Sequence, residues 1–77
     1  MSDKQLDCKG INCPMPIVRI SQAVRGMEPG QVLEVEASDP AFESDVKAWA
    51  RMTGHKILEF TDCEVVQRVR IQVVKNE

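Results

Sequence analysis

The stretch Val32-Leu33-Glu34-Val35-Glu36-Ala37-Ser38-Asp39-Pro40 decides how this chain folds. Leu33, Val35 and Ala37 alternate with Glu34 and Glu36. Successive side chains of an extended chain point to opposite faces, so the segment predicts a strand with one apolar and one charged face. Ser38-Asp39-Pro40 then reads as a helix start, with Asp39 as N-cap and Pro40 in the first helical position. A half-buried strand that runs straight into a helix is a building unit of layered α/β structure.

Downstream, Phe42, Val46, Trp49 and Ala50 recur at i, i+4, i+7 and i+8, and Gly54 closes that helix. Lys56 to Phe60 reads as a third strand, and Thr61-Asp62-Cys63-Glu64 as a turn. Val65 to Val74 is the longest strand, with Val69, Ile71 and Val73 alternating with Arg68, Arg70 and Gln72. Upstream, Ile17, Ile20, Val24 and Met27 share one helical face with Ala23 beside them, and Gly26 and Pro29-Gly30 end the helix. Gln5 to Cys8 reads as a short first strand, broken at Lys9-Gly10. Short tails are expected at Met1 to Lys4 and at Asn76-Glu77.

The order is β-α-β-α-β-β. Each strand has one apolar set, so both helices must cover the same face of the sheet. The other face offers Glu34, Glu36, Arg68 and Arg70 to water, where opposite charges pair across strands. The two crossovers make the first three strands parallel, and the last returns by a short turn antiparallel to the third. As the most apolar strand, it belongs between strands two and three. The fold class is α+β: a two-layer α/β sandwich with a four-stranded mixed sheet and two helices on one face.

The chain has 77 residues, which is the size of a single small domain over residues 1–77. Ten Lys and Arg against twelve Asp and Glu give a net charge of -2, which disfavours direct nucleic-acid binding. No apolar run approaches the roughly 18 residues that cross a bilayer, so no membrane insertion is expected. The start, Met1-Ser2-Asp3-Lys4-Gln5, lacks the apolar stretch of a signal peptide, and a cytoplasmic protein is expected. Three cysteines cannot all pair within one chain, so disulfides are not the main staple and one thiol at least is free. A chain this short has little room for an enclosed pocket, and no large cofactor is expected.

Cys13-Pro14-Met15-Pro16 lies where the first loop becomes the first helix. Proline is tolerated in a first helical turn, whose N–H groups lack intrahelical acceptors. Pro14 and Pro16 stiffen this turn, Met15 still offers an N–H, and Cys13 falls at or next to the N-cap. The free N–H groups and the helix dipole there favour negative charge, so the sequence predicts a thiol with a lowered pKa and a nucleophilic thiolate.

Leu6-Asp7, Gly10, Cys13-Pro14-x-Pro16, Pro29-Gly30, Asp39-Pro40, Asp45, Trp49 and Gly54-His55 together make the chain resemble the TusA/SirA-like sulfur-carrier family, over Leu6 to Lys75. The resemblance implies a sheet order of 1-2-4-3, the order reached from the pattern. It implies a sulfurtransferase that acts as a sulfur carrier, with Cys13 accepting sulfane sulfur as a persulfide or thiosulfonate. It implies a sulfur-donor protein (a cysteine desulfurase, a rhodanese or a DsrE-like protein) and a sulfur-acceptor protein as partners. The pathways it implies include sulfur oxidation and trafficking, tRNA thiolation, molybdenum-cofactor synthesis and thiosulfate uptake. The best-known tRNA-thiolation members have Glu between the two prolines, where this chain has Met15. That apolar residue changes what a docking partner meets, which weakens the tRNA-relay assignment and leaves the sulfur-oxidation or general-trafficking reading open.

Other residues carry two readings each. Cys8 is a candidate resolving thiol that could close a disulfide with Cys13, or a small apolar residue at a strand end. Cys63 reads as an exposed turn residue about 14 Å from the end of strand one, across three strand spacings. His55 has no second His and no C-x-x-C pair near it, so no metal site is expected; it reads as a surface or helix-end residue. Lys9 and Arg19 are solvated charges or steering groups for an anionic partner, and Trp49 is core. Two competing functions remain: an interaction module in which Cys13 is structural, and a Cys8/Cys13 thiol–disulfide switch.

Overall fold

The computed structural model describes residues 2–74; Met1 and the expected tail at Asn76-Glu77 lie outside the described residues. The elements are β1 (Lys4–Cys8), α1 (Met15–Arg25), β2 (Val32–Ala37), α2 (Phe42–Thr53), β3 (Lys56–Cys63) and β4 (Val66–Gln72). Lys4, expected in a tail, opens β1, and Asp3 fixes the sheet edge by accepting the Val32 N–H at 2.8 Å.

The sheet is four-stranded in the order β1-β2-β4-β3. β1 runs parallel to β2, and β4 is antiparallel to both β2 and β3. The alternation in β2 places Leu33, Val35 and Ala37 at 0% exposure, facing the helices. Leu33 lies opposite Ile71 and Val35 opposite Val69 on the central strand β4. Ile20, Ala23 and Val24 from α1, Met27 just beyond its end, and Phe42 and Val46 from α2 close this core. Trp49 lies at its margin, and its indole N–H donates to Ser21 Oγ at 3.0 Å, which ties α2 to α1.

The opposite sheet face is the charged ladder expected from the alternation. Arg68 meets Glu36 at 2.6 Å and Glu34 at 3.5 Å, and Lys9 meets Glu36 at 3.0 Å. The Arg68 and Lys9 hydrogen bonds hold the Glu36 carboxyl below the usual glutamate range.

Three local expectations need correction. The segment Val65 to Val74, expected as the longest strand, is β4 with seven residues, one fewer than β3 with eight. The turn read at Thr61 to Glu64 is mostly strand: Thr61, Asp62 and Cys63 pair with Arg68, Gln67 and Val66. The reversal occurs at Glu64-Val65, with Glu64 at φ 57°. β3 is an edge strand exposed over most of its length, so polar residues fit it without breaking the pairing. Its register also shifts between Ile57 and Glu59, which accommodates Leu58 as an extra residue.

The third correction concerns α2. It begins at Phe42, with Ala41 in the cap position and no side-chain cap hydrogen bond. Asp39 lies two residues before that cap and forms a turn instead. Its Oδ1 accepts the Ala41 N–H at 3.3 Å and its carbonyl accepts the Phe42 N–H at 3.0 Å. The rest of Asp39 is engaged elsewhere, and that engagement builds the site.

Candidate functional site around Cys13

Parallel pairing of β1 with β2 ends at Cys8 opposite Ala37, so the segments that follow both strands leave the sheet side by side. The loop after β1 is hung on the loop after β2. Gly10 N–H donates to Ser38 Oγ at 2.9 Å, and Cys13 N–H donates to Asp39 Oδ2 at 2.7 Å. Gln67, buried on β4, holds the Asp39 carbonyl through Nε2 at 2.9 Å. Asp39 is thereby fixed from the sheet and fixes Cys13 in turn. A site at the carboxyl ends of parallel strands follows the general rule for open α/β sheets.

Cys13 is exposed, and the Cys13–Pro14 peptide is cis. Pro14 is the cap residue of α1, Met15 is the first helical residue, and Pro16 is buried beneath the first turn. The expected Met15 N–H is not available to a ligand, because it donates to the Asn12 carbonyl at 3.0 Å. The Ile17 and Val18 N–H groups donate to the Pro14 carbonyl at 3.1 and 3.2 Å. Pro14 and Pro16 have no N–H at all. The start of α1 therefore presents none of the free donors that the sequence reading assumed.

The electrostatics follow. The Cys13 thiol is pushed up rather than down, chiefly by the influence of the Asp45 carboxylate, with desolvation and the Asp39 charge adding to the effect. This reverses the predicted direction for the thiol. Asp45 lies half-buried in the first turn of α2. Pattern reading gave it no role, because its proximity to Cys13 arises only when the two loops meet at one sheet edge.

The remaining candidates are distributed as follows. Cys8 is fully buried in the core, and burial pushes its thiol up. Cys63 is exposed at the end of β3, at the far edge of the sheet from β1. His55 stacks on Trp49 with ring centroids 5.3 Å apart and accepts the Val74 N–H at 3.1 Å through Nδ1. Lys9 pairs with Asp7 and Glu36 on the charged face, while Arg19 is exposed on α1. Among the described residues no group of three or more His, Cys, Asp or Glu could hold a metal ion. No helix among them is long and apolar enough to cross a membrane.

Beside Cys13, Met15 is 43% and Val18 39% exposed. Pro14, Ile17, Val18, Ser21, Gln22 and Arg25 line a shallow groove of about 270 Å³ along the same helix. The Cys13 sulfur thus stands at the end of an open, partly apolar surface rather than inside a pocket.

Known proteins resemble this chain along most of its length. The family model described as Sulfurtransferase TusA matches residues 4–73. A putative sulfur carrier protein, YrkI of Bacillus subtilis, is 52% identical over 61 residues, which cover 79% of this chain and 81% of that protein. The sulfur carrier protein TusA of Allochromatium vinosum is 44% identical over 57 residues, 74% of this chain and 75% of that one. The crystal structure of a SirA-like protein from Desulfitobacterium hafniense shares the fold, with a TM-score of 0.79 at 23% identity over 94% of this chain and 99% of that one. With relatives named as sulfur carriers and a family match that spans both βα loops of the site, the chain belongs to the TusA sulfurtransferase family.

Proposed function

We propose that the protein is a sulfur carrier whose Cys13 takes up sulfane sulfur as a persulfide and hands it to an acceptor protein. The observation that carries this reading is the exposed Cys13 thiol, held by the 2.7 Å bond from its own N–H to Asp39, in the Cys-Pro-x-Pro segment of a TusA-family chain. Exposure matters because the donor's sulfane sulfur must reach Cys13 Sγ in line with the bond that breaks. In that step Cys13 loses its proton and its sulfur bonds the sulfane sulfur. The donor's S–S bond breaks, and its electron pair stays on the donor's thiol sulfur, which takes up a proton. One thiol and one persulfide become one persulfide and one thiol, with no net oxidation.

The protein acts as a single domain over residues 1–77 and works with two protein partners. The donor is a cysteine desulfurase, a rhodanese or a DsrE-like protein, and the acceptor takes the sulfur onward in sulfur oxidation, trafficking or tRNA thiolation. Those partners supply the groups this site lacks, which makes the carrier a weak catalyst alone. The open Met15–Val18 surface beside Cys13 suits brief docking to more than one of them. The complete burial of Cys8 supports reading it as a core residue, and its resolving role as the lesser one.

Intact mass after incubation with thiosulfate, polysulfide, or a cysteine desulfurase with cysteine tests the proposal. A reducible gain of one sulfur atom that persists in Cys8→Ala and disappears in Cys13→Ser is expected. No adduct with any donor would refute the carrier reading. A loss of two hydrogens that requires Cys8 would establish the disulfide switch in its place.

A further inference from the structure

Two sets of cations stand apart on the surface. Lys9, Arg68 and Arg70 lie on the open sheet face and meet Asp7, Glu34, Glu36 and Glu59 there. The other set converges where α2 ends and β3 begins. Lys47, Arg51 and Lys56, all exposed, line a shallow groove of about 470 Å³ with His55, and Ala50 and Ile57 supply the apolar part of its lining. Among the described residues no carboxylate pairs with Arg51 or Lys56. Lys47 is held in place: its Nζ lies 2.6 Å from Glu43, one turn back on α2, and 5.3 Å from the centroid of the Phe60 ring. The His55 ring is held as well, stacked on Trp49 and accepting the Val74 N–H. Positive charge is thus gathered at one place in a chain whose net charge is -2.

β3 runs parallel to β2, because both are antiparallel to β4. Lys56 therefore opens β3 at the sheet edge opposite to the one that carries Cys13. Along α2, Arg51 in the last turn lies about 14 Å from Phe42 at about 1.5 Å per residue. The groove is too far from the sulfur to share in its chemistry. A protein docked over Cys13 still reaches it, since a standard interface covers about 800 Å² of each partner. We propose that the groove of Lys47, Arg51 and Lys56 binds an acidic segment of a partner protein that exchanges sulfur at Cys13. The carrier reading supplies only the identity of that partner as a sulfur-exchanging protein; the charge of the groove is independent of it. Carboxylates of the segment pair with the two unpaired cations, and the apolar surface of Ala50 and Ile57 takes a side chain between them. Holding the segment makes the second contact, at Cys13, an intramolecular one and raises the local concentration of the partner's reactive sulfur. A nucleic acid fits less well: a phosphate backbone is bound by a longer run of cations, and Glu43 bounds this patch along its helix.

The test uses the full chain and a fluorescein-labelled peptide of alternating Glu and Leu, read by anisotropy. Salt is set at about 0.01 M and then about 0.15 M, where charges are screened over about 30 and about 8 Å. Binding is expected at low salt and should weaken several-fold at high salt. An exposed ion pair accounts for up to about fivefold in affinity, so Arg51→Gln with Lys56→Gln should weaken binding about tenfold. Lys4→Gln with Arg19→Gln removes the same charge elsewhere and should stay within about twofold of the parent. Amide NMR of the parent places the peptide without any substitution: the signals of Arg51, Lys56 and Ile57 should move. No binding by the parent, equal weakening by both double variants, or tighter binding of a short oligothymidylate through Arg51 and Lys56 would overturn the proposal. Polysulfide loading of Cys13 is read separately and should be unchanged without the two cations; its loss there would place them at the sulfur and overturn the proposal. Failure of the parent to load refutes the carrier reading, while the anisotropies still decide what the groove binds.

Discussion

Replacing Asp39 by alanine removes one of the two bonds that join the loops of the site, and with it a bond within the β2–α2 loop. The Cys13 N–H loses a charged acceptor at 2.7 Å and the Ala41 N–H loses one at 3.3 Å. A hydrogen bond to a charged group contributes about 1.5–3 kcal/mol when water cannot replace it. The Cys13 bond lies at the surface and the Ala41 bond is long, so water recovers part of both. The net cost is then about 1–2 kcal/mol. For a domain of this size each kcal/mol lowers the Tm by about 4–8 °C. Asp39→Asn has one carbonyl oxygen in place of two, so it keeps one of the two bonds and should lose about half as much. Thermal unfolding of the parent and both variants reads the stabilities, and sulfur loading of Cys13 reads the geometry. The expected order is parent, Asn, Ala for both. An Ala variant with the parent's Tm and loading would refute the account of Asp39 as the peg that holds Cys13.

Other residues give independent checks. Cys8→Ala truncates a side chain at 0% exposure, so it should cost about 1–2 kcal/mol in urea unfolding yet leave sulfur loading intact. Glu64 occupies the left-handed region at φ 57°, where a side chain is strained, so Glu64→Gly should gain up to about 1 kcal/mol and raise the Tm. Glu36 has a folded pKa below its unfolded one, so its stabilisation is present above the ordinary glutamate range and is lost as pH falls through the folded value. Glu36→Gln should therefore be less stable than the parent at pH 7, with the difference closing in strong acid; urea unfolding at both pH values measures it.

Most of the architecture was legible because the core faces are regular. The alternation in β2 and β4 gives a strand period of two, and the spacing of Ile20, Ala23, Val24 and Met27 gives a helix period. Both patterns arise from one buried face, and the sheet order follows once β4 is recognised as the most apolar strand. β3 runs further than its sequence pattern predicts because an edge strand need not alternate: Asp62 and Cys63 are exposed and still pair with Gln67 and Val66. The local sequence around Asp39 fits a helix cap, while its longer-range partners are Cys13 and Gln67. The exposure of Cys13 was legible from its place at a loop-to-helix junction. The sign of its electrostatic environment was not, because local sequence cannot show that the helix N–H groups are already committed or that the charges of Asp39 and Asp45 act on the thiol from outside its own loop.

The most direct measurement of the central claim is peptide mass mapping of the wild-type protein after loading with a sulfane donor, before and after a thiol acceptor is added. The account predicts one extra sulfur on the peptide that contains Cys13, none on those that contain Cys8 or Cys63, and its disappearance with the appearance of the acceptor's persulfide. Sulfur found on Cys63 instead, or sulfur on Cys13 that no acceptor removes, would contradict it.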